Sequence, residues 1–469
     1  METASETCRE VYLDLYEERS PSGDESSELS VDRRSLLKTG GGVSLVGILV
    51  SALTQSSGPA DDTTAVYSVG PNEEYQTIQA AYNALDATGG RIVVRHNYDS
   101  ATESFPVEMN QTDGDGNGIP FTLRGDDVSE TRVDASGSGA DVFKILGPGS
   151  DYQRKVVVSN LQIVGGQTGI TVTECPYSHL HNVVLNGCND HGVHLASGGV
   201  GNYGFTFDNV EAWGCGRNGF RLEEHSYPNA VTFKDCEAML CGQADSDFAG
   251  VHLRNSSVRW IGGVVQQNYG YGIDLRNSNA PYVGGVYFEG NGLGTTAPLD
   301  IYLGATRTDD QDEGPGVYAP TIQSCYFNGA YYYQDHFKGR EMALRAINIQ
   351  KAFAGEVRSC AYRNYSESFV TVFGDSKGPN SDVVDFDLNR ASHWNVDSSP
   401  EGTPFLSKAN GHRLRSGGTV LKQDLVANRV VGRYDGDRAI HDGNGPPLTA
   451  IWSTDDETWY LPDGTSIKE

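Results

Sequence analysis

"GVHL" stands twice in this chain, at Gly192-Val193-His194-Leu195 and at Gly250-Val251-His252-Leu253. Three other tetrapeptides share its form: "GITV" at 169–172, "GFRL" at 219–222 and "GIDL" at 272–275. Each reads glycine, apolar, variable, apolar, and the five glycines lie 22 to 31 residues apart. Upstream of each runs a second strand-like segment, such as "LHNVVLNGC" at 180–188 and "FDNVEAWGC" at 207–215, and an asparagine recurs there as Asn160, Asn182 and Asn209. A unit of this length with two alternating strands and polar turns is a solenoid repeat. Neither helical nor leucine-rich spacing runs through it, so the expected winding is parallel β-structure. Unequal intervals are tolerated, because extra residues leave the stack at its turns. "DIYL" at 300–303, "AINI" at 346–349 and "FVTV" at 369–372 read as later rungs.

The bulk numbers agree with an all-β chain. Of 469 residues, 57 are glycine and 18 proline, and only 38% are hydrophobic, which favours short strands and turns over helices. Asp plus Glu number 62 against 35 Lys plus Arg, a net charge of −27. Such a surface repels phosphate and excludes nucleic acid as a partner. An acidic, lysine-poor surface also keeps its hydration at high salt, which points to a halophilic source. Eight cysteines are dispersed, none in a CxxC pair, so no disulfide or metal framework is expected. Cys188, Cys215 and Cys241 fall at one place in successive repeats and are expected to stack as small buried apolar groups.

Residues 1–65 read as an address. Arg33-Arg34 precedes Leu36, Leu37, Lys38 and then the apolar run "VSLVGILVSAL" at 43–53. That run is too short to span a bilayer as a mature helix and suits a signal-peptide core. The segment resembles twin-arginine (Tat) translocation signals, which implies the Tat translocase as a transient partner and an extracellular or cell-surface location.

"YQTIQAAYNALDATGG" at 75–90 has Ile78, Ala81, Tyr82 and Leu85 at helical spacing and ends on glycines. It predicts a capping helix, with "RIVV" at 91–94 as the first strand. This passage and the coils after it resemble the pectate-lyase-like right-handed parallel β-helix superfamily over roughly 66–400. The resemblance implies that fold and an association with polysaccharides, whether as lyase, glycoside hydrolase, epimerase, tailspike or non-catalytic protein. It transfers no catalytic residue. "CND" at 188–190 and "NGHRL" at 410–414 only superficially match the polygalacturonase-type motifs, and Arg-x-Pro-x-x-Arg of pectate lyases is absent. Residues 401–469 read as a small C-terminal β-module, a candidate contact for a homotrimer.

In a strand successive side chains face opposite ways. In "GVHL" the Val and Leu are expected inside and the His outside. Stacking then builds an exterior ladder of Thr171, His194, Arg221, His252, Asp274, Tyr302, Asn348 and Thr371, with Thr173, Ala196, Glu223, Arg254 and Arg276 in the next outward column. On this reading Arg221, Arg254 and Arg276 hold uronate or sulfate groups through their planar forks, beside Tyr302. His252, the first choice, or His194 abstracts a proton, Asp274 orients it, and Glu223 or Asp274 is the acid of a hydrolase. The competing reading is a solvated ladder of paired charges. "DGDGNG" at 113–118 places Asp113, Asp115 and Asn117 at alternate positions, like the start of a Ca2+ loop, but Arg124 stands where a bidentate carboxylate belongs. The function expected is binding or cleavage of an extracellular acidic polysaccharide, with elimination ahead of hydrolysis. The alternative is a non-catalytic adhesin or tailspike-like protein.

Overall fold

A computed structural model describes residues 65–372 apart from 149–154, 197, 199–200, 224–228, 245–247, 255, 295–298, 305–315 and 330–342, together with short strands between 384 and 467. The twin-arginine segment lies outside the described residues.

The chain from Ala65 onward winds as a parallel β-solenoid. Strand β1 (Val66–Val69) comes before the capping helix and pairs parallel with β2 (Gly90–Val94), so the expected first strand is the second. Between them lies helix α1 (Ile78–Asn83). Thr77 caps it, its hydroxyl accepting from the Ala80 amide at 3.1 Å, and Glu103 receives the Ile78 amide at 2.6 Å. A carboxylate there meets the positive end of the helix. Ile78, Ala81 and Tyr82 are buried, and Tyr82 sets its ring edge-on to Phe121, closing the end of the core.

Each coil then places strands in two sheets. Among the described residues, a 25-stranded sheet holds the upstream segments, and an 11-stranded sheet holds the "GVHL"-type rungs. The recurrent asparagines mark a bend within the long sheet. Asn160, Asn182 and Asn209 have φ of 55°, 52° and 54°, and Asp235, Gly262, Gly285, Ser324 and Ser359 continue the left-handed column. Asparagine tolerates that conformation better than most residues. It also joins the coils: the Asn209 amide donates to Asn182 and the Asn182 amide to Asn160, each at 2.9 Å.

Inside, like stacks on like. Phe207, Phe233 and Trp260 overlap face to face at 4.4 and 4.7 Å, and Phe220 meets all three edge-on. The rung glycines are needed where coils approach most closely: a Cβ on Gly192 would lie 2.6 Å from the Gly219 carbonyl oxygen. Cys188, Cys215 and Cys241 are free and buried. Asn268 and Asn291 extend their column, and the sulfur stack becomes an amide ladder, Asn268 Nδ2 donating to Asn291 Oδ1 at 2.8 Å. Parallel pairing runs past residue 400, through Leu414–Ser416 against Val384–Asp387. Antiparallel hairpins follow, with Trp452 paired to Trp459.

Candidate functional site

The predicted ladder is present in register. Thr171 pairs with His194, His194 with Arg221, Arg221 with His252, His252 with Asp274, Asp274 with Tyr302, Tyr302 with Asn348 and Asn348 with Thr371. Lys144 and Glu108 extend it toward the N-terminus. The flanking residues Val193, Leu195, Phe220, Leu222, Val251 and Leu253 are buried in the core, so the ladder side chains do point away from it. Neighbouring rungs are about 4.8 Å apart. The side chain of Thr371 lies outside the described residues.

Part of the strip is closed to water. Asp274 is fully buried and His252 is 7% exposed. The physical reason is local cover. Asp274 accepts Arg254 Nε at 2.8 Å, Arg276 Nη2 at 2.6 Å and the Arg276 amide at 3.2 Å. The Arg276 guanidinium in turn lies 5.3 Å above Tyr302 and 5.9 Å from Tyr271, whose rings stack at 5.0 Å. Two planar cations thus fold over the carboxylate, and two tyrosines cover one of them. Both Asp274 oxygens are occupied as acceptors, which suits a positioning role and leaves it no proton to give. Tyr302 also donates its hydroxyl to Gln350 Oε1, and burial with the nearby Asp274 charge pushes it up to about 12.

The more open part of the strip lies toward the N-terminus, on the His194 and Arg221 rungs. His194 Nε2 lies 3.2 Å from Glu223 Oε2, and Arg221 reaches the other Glu223 oxygen at 3.9 Å. Arg221 Nε is buried without a hydrogen-bond partner among the described residues. His191 packs beside His194 at 5.2 Å and accepts the Asn218 amide through Nδ1 at 3.2 Å. Burial holds all three ladder-side imidazoles below their ordinary range: His191 at about 2, His252 well below, with Arg254 and Arg221 adding to the effect, and His194 lowered by burial and Arg221 against the opposing pull of Glu223. They are neutral at pH 7, and an unprotonated imidazole is a proton acceptor.

His191 and Tyr271 were missed in the sequence although both directly precede a rung glycine, Gly192 and Gly272. The shared pattern of the rungs lies in the residues after the glycine. Asp113, Asp115 and Asn117 stand apart from the ladder. Asp113 Oδ1 accepts the amides of Asp115 and Asn117 at 2.9 and 2.8 Å, and Oδ2 accepts Asn117 Nδ2 at 2.9 Å. These bonds close an Asx turn within the alternation.

A family model described as "Right handed beta helix region" matches residues 125–293. The fold is a right-handed parallel β-helix. The solved structures similar to this β-helix include the alginate lyase of Paenibacillus sp. str. FPU-7, 12% identical over 75% of this chain and 99% of that one, with TM-score 0.42. The surface adhesin PfbA of Streptococcus pneumoniae is 9% identical over 85% and 98%, with TM-score 0.45. ORF18 of Geobacillus virus E2 is 13% identical over 83% and 67%, with TM-score 0.39. No curated protein matches the chain.

Proposed function

We propose that the outer ladder binds an extracellular acidic polysaccharide and cleaves it by β-elimination, with His194 as the base. The observation that carries this reading is the Arg221–His194–Glu223 arrangement, in which an imidazole with a carboxylate 3.2 Å away sits one rung from a guanidinium with an unpartnered buried Nε. Arg221 receives the sugar carboxylate and, with Arg254 and Arg276 on the neighbouring rungs, draws the anionic chain along the strip. A sugar carboxylate held there offsets the guanidinium charge that depresses His194 and so strengthens the base. His194 takes the proton on the carbon beside the carboxylate. The electron pair forms the carbon–carbon double bond, the bond to the departing sugar oxygen breaks, and the proton returns to that oxygen. His252, though first on sequence grounds, is more deeply covered and more strongly flanked by cations, so the role moves two rungs to His194. Tyr271 and Tyr302 offer a stacked face for a sugar ring.

Binding without cleavage is favoured by one observation, the complete pairing of Asp274 with Arg254 and Arg276. Export through the Tat translocase, a halophilic source and a trimer through the C-terminal hairpins belong to the same proposal. They rest on Arg33-Arg34, the −27 charge and the change from parallel to antiparallel pairing. The test is incubation in molar KCl with alginate, polygalacturonate, hyaluronate and heparin, following unsaturated-product absorbance and reducing ends together. Both signals should rise with one of them and vanish in His194→Ala. Reducing ends without absorbance mean hydrolysis, and binding without either signal means the adhesin reading.

A further inference from the structure

A second cluster lies on the outer face of the long sheet, on a different strand row from the ladder. His179 and His181 are two apart in the strand His179–Asn186, with Leu180 buried between them, so both rings emerge on one side. The next coil sets Asp208 in register with His181 and Thr206 with His179. His181 Nδ1 lies 3.4 Å from Asp208 Oδ2, and the two rings are 5.8 Å apart. One donor atom from each of His179, His181 and Asp208 falls within 4.8 Å of the other two. His179 Nε2 is buried and has no hydrogen-bond partner among the described residues. Beyond Asp208, Lys234 closes the row, its Nζ 3.2 Å from Asp208 Oδ1.

We infer that His179, His181 and Asp208 form a binding site for a divalent transition-metal ion of the zinc class. Two imidazoles and one carboxylate are the donor set of three-ligand zinc sites that leave the fourth position to water. Ligands at 2.0–2.2 Å from a tetrahedral ion stand about 3.3 Å from each other, so modest side-chain rotations on a fixed strand pair complete the site. The backbone needs no movement, because register already places the donors. Imidazole selects against calcium and magnesium, which take oxygen ligands. A metal displaces Lys234 from Asp208 and gives His179 a partner. A plain His–Asp–Lys surface row, by contrast, gains nothing from a metal. This inference is independent of the ladder chemistry.

The test uses the full chain, stripped with a chelator and titrated with ZnCl2 against a chromophoric competitor, with CoCl2 as a spectroscopic probe. One equivalent should bind, and Co2+ should give the intense visible bands of a four-coordinate N/O site. His181→Ala and Asp208→Asn should each weaken binding by 10-fold or more. Lys234→Ala should strengthen it several-fold by removing the competitor. Zinc should also raise the Tm of the wild type and leave that of His181→Ala unchanged, which separates a lost ligand from a damaged fold. His181 is about half exposed on its strand, so its truncation spares the core. Zinc affinity equal in wild type and His181→Ala overturns the inference, and so does an absence of any binding at micromolar zinc.

Discussion

The two faces of the 11-stranded sheet carry the same register and differ in chemistry. Inward, Val193, Leu195, Phe220, Leu222, Val251 and Leu253 repeat one apolar theme, and each is buried by its neighbours in the core. Outward, His194, Arg221, His252 and Asp274 change charge at every rung. Yet Asp274 is as inaccessible as Leu253. Alternation along a strand thus decides which way a side chain points and leaves open whether water reaches it. On the outer face the cover comes from long side chains of the same and the adjacent rung, Arg276 and Arg254 foremost, and burial there is achieved by pairing charges.

The largest effect should come from breaking that pairing. Asp274→Ala leaves two guanidinium groups without their shared carboxylate, one of them beneath stacked tyrosines, and should cost about 3–5 kcal/mol in a urea titration. A loss under 1 kcal/mol would show that the outer face is solvated after all. Asp300, fully buried where other rungs carry their glycine, comes next. Burial raises its carboxyl to about 7, while Asn291 Nδ2 at 2.6 Å and the Tyr365 hydroxyl hold it. Its folded value lies above the ordinary value of 3.8, so the native state binds the extra proton. Its contribution is therefore full below about pH 4, falls as pH rises toward 7 and is level beyond, a span on the order of 4 kcal/mol. Relative to Asp300→Asn, the wild type should lose stability across that window. A pH-independent difference between the two proteins contradicts the burial.

Leu195→Ala should cost about 3 kcal/mol through the cavity it leaves. His194→Ala and Arg221→Ala, on the more open rungs, should change stability by about 0.5 kcal/mol or less. The acid limb of any activity should lie below pH 6.5, because burial and Arg221 hold His194 neutral. Glu223→Gln removes the charge that opposes them and should move the limb lower still. A limb above pH 6.5 would assign the base elsewhere.

Much of this was legible because parallel coils convert alignment into adjacency. Matching glycines was enough to place Thr171, His194, Arg221, His252, Asp274, Tyr302 and Asn348 in one column. The left-handed asparagines and the cysteine stack were visible for the same reason. Exposure was not, since it depends on where Arg254 and Arg276 fold, and arginine stems have no preferred direction that a repeat can reveal. His191 and Tyr271 stood one residue before the aligned window. His181, Asp208 and Lys234 each precede the left-handed column by one position, but only the asparagines of that column had been compared.

The central claim is that the outer column is a binding strip while the inner column is only core. It is tested most directly by affinity electrophoresis in gels containing the polysaccharide that the wild type retards most among alginate, polygalacturonate, hyaluronate and heparin, comparing Arg221→Ala with Leu195→Ala below its unfolding temperature. The account predicts that Arg221→Ala keeps the wild-type melting temperature and loses retardation at least 10-fold, while Leu195→Ala melts earlier and is retarded as strongly as the wild type. Retardation of Arg221→Ala equal to the wild type, or no retardation of the wild type by any of the four, contradicts it.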